Sequence, residues 1–257
     1  MTDSCRIEWL GRIEYGAALK LQKELVAQRA ADQIPNTLLL LEHPHTYTIG
    51  IDGHREHLLI SQDEMARLNI GYYKVDRGGS VAYYGPGQLV AYPILNLSRY
   101  GYTYHDYIDK LTRVIIQVLS FFKVRAFREQ GQSKILVFTT PPGSFASRWS
   151  KPDSYMAQIA TIGVKVNEQD ITSHGFALNV HPNLEFFDLI IPSGLYCTST
   201  TSLRRALNKS IDIGSVIEPV IQSFCKVFDM EPIVDEVVDN RARNLSQQKV
   251  VHFHKGF

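Results

Sequence analysis

The order of strand-like and helix-like segments predicts an α+β protein, with mixed β-sheets flanked by helices in a single domain covering 1–257. Three observations carry this expectation. Short runs rich in β-branched and aromatic residues recur with only a few helical stretches between them, without the regular alternation of a parallel α/β sheet. The segment 105–123 places Ile108, Leu111, Val114, Ile115, Val118, Leu119 and Phe122 at helical spacing, so one face of it must be buried. The stretch 77–93 runs Arg-Gly-Gly, a short strand, Gly-Pro-Gly and a further strand. Two glycine corners so close together let backbone approach backbone, or a ligand, where a Cβ would collide.

The elements follow in order. Residues 5–10 read as a first strand and 16–30 as an amphipathic helix with Ala18, Leu21, Leu25 and Val26 on its apolar side. The leucine run 37–41 is a buried strand, ended at Glu42-His43-Pro44 because proline cannot donate to a ladder. Tyr47 to Ile49 is a short strand. Ser61 caps a short helix to Leu68, with Glu64 in the capping-box place. Residues 72–75 lead as a strand toward the paired glycines, and Leu89 to Leu95 is a strand. After the helix at 105–123, strand signals resume at 134–138, and 139–155, rich in Pro, Ser and Gly, is an exposed excursion. Residues 158–166 and 176–180 form a hairpin-like pair across the polar stretch 167–173. A loop follows at 191–197, then a helix at about 215–228, with Ser215 and Glu218 as its capping box and Pro219 obscuring its start. The tail from Asn240 is polar and mixed. There is neither an internal repeat nor a linker long enough to divide the chain.

The formal net charge of +1 leaves no electrostatic footprint for nucleic acid or a membrane surface, and no apolar run is long enough to span a bilayer. Cys5, Cys197 and Cys225 lack metal-ligand spacing and fit a reducing compartment. The N-terminus has no apolar signal core, and Asp3 and Glu8 are foreign to a transit peptide, so a cytosolic address is the plain expectation. The glycines of 77–87 do not make a dinucleotide fingerprint, since a strand rather than a helix follows, and there is no Walker sequence. No cofactor and no metal are expected. His43 and His45 share a strand face without partners for a metal, and His174 before Gly175 is a packing or hydrogen-bonding residue more readily than a base. Ser193 sits in a Pro-Ser-Gly turn and Cys197 in a loop, each explicable without function. From the residues alone, the chain is a soluble α+β domain with a glycine-cornered pocket.

Several collinear motifs go further. Arg77-Gly78-Gly79, Tyr84-Gly85-Pro86-Gly87-Gln88 and Tyr92-Pro93 resemble the signature of lipoyl/octanoyl transferases. Leu41-Glu42-His43-Pro44, Ile159-Ala160-Thr161-Ile162-Gly163-Val164, His174-Gly175-Phe176-Ala177-Leu178-Asn179 and Ile191-Pro192-Ser193-Gly194 follow the same family order, over about 5–230. The resemblance implies a biotin/lipoate ligase-like fold and transfer of an octanoyl group from acyl carrier protein to a lysine of lipoyl domains. Those domains belong to the 2-oxoacid dehydrogenases and to the glycine cleavage H protein. It implies a mitochondrial matrix address in a eukaryote and a cytoplasmic one otherwise. It also implies an acyl tunnel lined by Arg77, Gly78, Gly79, Ser80, Val81, Ala82, Tyr83 and Tyr84, by Thr161, Ile162 and Gly163, and by Gly175, Phe176 and Ala177. Three positions depart from the family pattern. Ser193 stands where the family has its acyl-carrying cysteine, Gln158 where it has a lysine that activates the cysteine, and Tyr84 where it has a histidine. A serine without a base is a weak nucleophile. Three routes stay open: acylation of Cys197, direct attack by the acceptor lysine, or binding without catalysis.

Overall fold

The computed structural model describes residues 3–128, 134–139, 155–191 and 199–234. The excursion 140–154, the loop 192–198, which holds Ser193 and Cys197, and the tail lie outside the described residues.

The chain alternates β1 (Asp3–Arg12), α1 (Tyr15–Ala30), β2 (Asn36–Glu42), β3 (Thr46–Ile49), α2 (Gln62–Arg67), β4 (Gly71–Lys74), β5 (Val81–Tyr84) and β6 (Gln88–Ile94). Then come α3 (Tyr104–Phe121), β7 (Ala126–Arg128), β8 (Lys134–Thr139), β9 (Tyr155–Val166), β10 (Thr172–Asn179), β11 (Ser199–Thr200), α4 (Leu203–Leu207), α5 (Gly214–Phe228) and β12 (Met230–Val234). A large mixed sheet runs β12-β1-β2-β6-β10-β9-β8-β7, with β11 beside β9, and a small sheet runs β4-β3-β5. The α+β architecture predicted from sequence is therefore present.

The leucine run of β2 explains why it lacks alternation: both of its faces are covered. Leu38 and Leu40 enter the core under α3 and α5, while Leu39 and Leu41 enter the core under α1. In α3, Leu111, Val114, Ile115, Val118 and Leu119 are fully buried, and Thr103 with Asp106 closes a capping box. The small sheet has its own core of Tyr47, Ile49, Val81 and Tyr83 against Phe187 and Ile190.

The apolar side of α1 packs as expected, with Ala18 and Leu25 buried and Leu21 and Val26 partly buried against the same core, while two other local expectations change. The buried residues of α1 also include Tyr15, Gln22 and Arg29. The two polar residues among them have structural partners: Arg29 donates to Asn36, and Gln22 accepts the His174 backbone N–H. Helix α5 begins at Gly214, and the Asp212 carboxylate, not Ser215, caps it by accepting the Ser215 N–H. Strand β4 stops at Lys74, short of the paired glycines, because 75–80 wraps around the Arg77 side chain instead of extending.

Strands β5 and β6 are consecutive yet belong to different sheets, so Gly85-Pro86-Gly87 is the corner where the chain passes from one to the other. That corner, and the antiparallel hairpin β9–β10, place the small sheet over the middle of the large one. The candidate site lies between them.

Candidate functional site

Arg77 is 4 % exposed and is held by four hydrogen bonds. Its Nη1 donates to the Gly78 carbonyl, and its Nη2 to the Thr48 carbonyl, the Thr48 hydroxyl and the Ser80 carbonyl. The guanidinium therefore pins the 77–80 loop onto β3. Gly79 in that loop has φ +85°, a conformation that L side chains avoid. The Gly78 N–H donates to the Val164 carbonyl at 2.9 Å, which fastens the loop to β9 of the large sheet.

Between this loop and strands β9 and β10 runs a narrow cleft with a cavity volume of about 20 Å³. Arg77, Gly78, Gly79, Ser80, Val81, Ala82 and Tyr84 line one wall, and Thr161, Ile162, Gly163, Gly175, Phe176 and Ala177 the other. A second stretch of similar size shares Val81, Ala82, Thr161 and Ala177 with the first, so the two adjoin and together make up the slot. Tyr83 lies on this second stretch, with Gln88, Gln158, Ala160, Asn179, Phe187 and Ile190. All the residues that the sequence assigns to a tunnel thus meet on one slot, and Gln158 stands at its other end. Ser193 and Cys197 are outside the described residues.

The wall near Gly175 shows how the strands make room. Pro93 interrupts the donor series of β6 opposite β10, where His174 adopts φ 56°. A Cβ on Gly175 would stand 2.0 Å from the Ala91 carbonyl oxygen and 2.8 Å from Pro93. The His174 N–H donates to Gln22 Oε1 of α1 at 2.7 Å. The His174 imidazole is buried, with Nε2 3.2 Å from Asp76 Oδ1, and Lys165 donates to the other carboxylate oxygen. Burial lowers the His174 pKa, against the pull of Asp76. Burial raises that of Asp76, but the hydrogen bonds from Lys165 and His174 outweigh it and bring it to about 2.

Behind the slot, Tyr84 stands edge-on to His43 at 5.6 Å between ring centres. His43 Nδ1 lies 2.9 Å from the Ile13 carbonyl, which can only accept, so the proton is on Nδ1. Nε2 then accepts from the Tyr92 hydroxyl at 2.9 Å. Burial pushes His43 down to about 4 and the Tyr92 hydroxyl well up, so both are neutral at pH 7. Among the described residues there is no group of His, Cys, Asp and Glu able to hold a metal ion, and no helix is long and apolar enough to cross a membrane.

Gln88, Asn179, Asp76 and Lys165 belong to the site but were not singled out from the sequence. Gln88 and Asn179 both lie inside motifs quoted above, and a count of polar residues in otherwise apolar strands would have found them. Asp76 and Lys165 carry no such signal, because only the fold brings them together.

A two-sheet α+β frame thus encloses a narrow slot between its sheets, lined by both polar and apolar groups. The family model described as the lipoyl protein ligase A/B catalytic domain matches residues 14–225, and the chain belongs to that family. An octanoyltransferase of Chloroflexus aggregans is 38% identical over 224 residues, covering 87% of this chain and 95% of the relative. Among solved structures, a bipartite lipoate protein ligase with its E2 lipoyl domain from Thermoplasma acidophilum aligns with TM-score 0.60 at 14% identity, over 97% of this chain and 94% of the other. LipL1 of P. falciparum in complex with lipoate aligns with TM-score 0.62 at 12% identity, over 98% and 76% respectively. The fold is that of the lipoate protein ligases.

Proposed function

We propose that this protein is an octanoyltransferase of protein lipoylation, acting as a single domain. In this reading it moves an octanoyl group from a thioester on acyl carrier protein to a lysine of lipoyl domains, including those of 2-oxoacid dehydrogenases and the glycine cleavage H protein. The carrying observation is the slot: residues 77–84, 161–163 and 175–177, far apart in the chain, line one narrow channel. Each methylene buried there contributes about 0.8 kcal/mol, so an eight-carbon chain gains several kcal/mol before any chemistry. The octanoyltransferase relatives support the acyl group, and the Thermoplasma ligase with its E2 domain supports the lipoyl-domain acceptor. The compartment follows the partners: the mitochondrial matrix in a eukaryote, the cytoplasm otherwise.

The residues at the far end favour transfer straight to the acceptor amine. Gln158 has no charge with which to lower the pKa of a neighbouring thiol or hydroxyl, and among the described residues no charged side chain lines that stretch of the slot. A covalent acyl intermediate on Ser193 or Cys197 is therefore not part of this reading. The neutral Gln158 equally suits a non-catalytic relative that retains the acyl slot or partner surface.

The test mixes the protein with octanoyl carrier protein and apo lipoyl domain and follows the lipoyl domain by mass spectrometry. Octanoylation of the lysine, absent without this protein and with no octanoyl adduct on this chain during turnover, is the expected result. An adduct on Cys197 or Ser193 would replace direct transfer by a covalent route. No octanoylation by the wild type, but octanoylation by the S193C/Q158K double variant, would establish the non-catalytic alternative.

A further inference from the structure

The far end of the slot holds polar atoms that nothing in the proposed acyl binding uses. Gln88 is 2 % and Gln158 6 % exposed, and the Oε1 atom of each is buried without a hydrogen-bond partner among the described residues. Both side chains line the same stretch of slot. An unsatisfied buried carbonyl of this kind is costly, so two on one cavity point to a ligand.

The orientation of Gln88 is fixed by a chain of acceptors. Asn179 Nδ2 donates to the Thr201 carbonyl at 3.0 Å, which places Asn179 Oδ1 toward Gln88. Gln88 Nε2 donates to that Oδ1 at 2.9 Å and to the Tyr83 carbonyl at 3.3 Å. Turning either amide over would set carbonyl oxygen against carbonyl oxygen, so Gln88 presents Oε1, not its NH2 group, as the unused atom. Beside it, the Gln158 main chain is held by the Thr201 N–H, which donates to the Gln158 carbonyl at 2.9 Å.

Two acceptors without a donor recognise a group rich in N–H. A carboxylate or phosphate would meet them lone pair to lone pair. We propose that the Gln88 and Gln158 side-chain carbonyls form a seat for the primary amine of the acceptor lysine. This rests on the octanoyl-transfer reading and adds to it the place of the second substrate.

The neutrality of the seat has a chemical consequence. A carboxylate there would hold the ammonium form. With amide oxygens and no charged lining residue among the described residues, burial lowers the lysine pKa from its usual value of about 10.4 and favours the free amine. The ammonium releases one proton to solvent on entry. The amine nitrogen then attacks the thioester carbonyl carbon. The C–N bond forms and the C–S bond breaks, the electron pair leaves on sulfur, and the proton shed by nitrogen ends on the thiolate. The products are an amide and a free thiol. Gln88 and Gln158 orient the amine through N–H···O bonds and transfer no proton themselves.

The full-length protein is titrated by calorimetry and NMR with Nα-acetyl-lysine methylamide, with its norleucine counterpart, which lacks the amine, and with pantetheine, whose N–H groups are amides. The wild type is expected to bind the lysine compound at least tenfold more tightly than the norleucine one, with shifts at the Gln88 and Gln158 amides. Q158M is expected to remove most of that preference, and Q158K to abolish lysine-analogue binding by like-charge repulsion. Q158E, nearly isosteric, is expected to bind the lysine compound more tightly while slowing octanoyl transfer at saturating lipoyl domain. Equal binding of the lysine and norleucine compounds by the wild type would overturn the proposal, leaving the two carbonyls to ordered water. So would a Q158M effect confined to pantetheine, or a Q158E that leaves both affinity and rate unchanged. Amine binding with no octanoyl transfer would sink the transferase reading and spare the seat; transfer with no amine preference would do the reverse.

Discussion

Arg77 and Gln158 stand at the two ends of one slot, and their surroundings differ in kind. Around Arg77, four hydrogen bonds from the guanidinium and one from the Gly78 N–H tie the 77–80 loop to both sheets. Around Gln158, the Oε1 atoms of Gln158 and Gln88 have no partner among the described residues. One end is scaffold: Nη1 and Nη2 of Arg77 tie the loop down, and its buried Nε has no partner among the described residues. The other is receptive, with polar atoms placed but unused. A buried cation thus serves structure here, while neutral amides are the better candidates for recognition.

The scaffold side of that contrast is tested first where it leaves least room. Gly175→Ala sets a Cβ against the Ala91 carbonyl at 2.0 Å, so β10 must move from β6. A loss of about 3 kcal/mol or more is expected in urea unfolding, at the upper end of overpacking effects. A loss below 1 kcal/mol would show that the strands can separate freely at this wall.

Arg77→Met removes the guanidinium and leaves the Thr48 and Ser80 carbonyls buried without it. About 2–3 kcal/mol of destabilisation is expected, with octanoate affinity falling as the loop loosens. Unchanged stability with lost affinity would instead move Arg77 to the receptive side of the comparison.

A smaller effect concerns His43, neutral and buried behind Tyr84. Its folded pKa, lowered to about 4 by burial, lies below the unfolded value of about 6.5. The unfolded chain therefore binds the proton first. The stabilising contribution is complete above about pH 6.5 and is lost as pH falls toward 4, by about 2 kcal/mol between pH 6.5 and 4.5. His43→Gln should flatten this part of the stability profile relative to wild type. Parallel profiles for the two proteins would mean that His43 is protonated in the fold.

Ala177→Val is expected to act mainly on the ligand, since Ala177 lines both stretches of the slot. Octanoate should bind about tenfold more weakly, or about 1.4 kcal/mol, with butyrate affected less. Equal losses for both acids would argue against a chain lying along the slot.

Much of this was legible from sequence because it is written in local terms. The period of α3 follows from side-chain burial on one face. The strand–corner–strand pattern of 81–94 follows from glycine and proline at fixed places. The residues of the slot were reached through short motifs spread along the chain, and the fold brings those motifs together. Local rules failed where a distant partner decides. Gln22 and Arg29 look like surface residues of α1 until His174 and Asn36 supply their bonds. Ser215 looks like a cap until Asp212 is seen to do that work.

By itself the sequence determined the α+β class, the principal helices and strands, and the family. Tertiary structure alone decided that β5 and β6 part into different sheets and leave a slot between them. It also decided that Arg77 is held by Thr48 and by its own loop, and that the Gln88 and Gln158 side-chain oxygens have no partner among the described residues. Periodicity reports which face of an element is buried; whether a buried polar atom has a partner depends on residues far away in the chain. At the glycine-cornered stretch, local chemistry dictated the turns, and only packing against β9 and β10 made them the wall of a site.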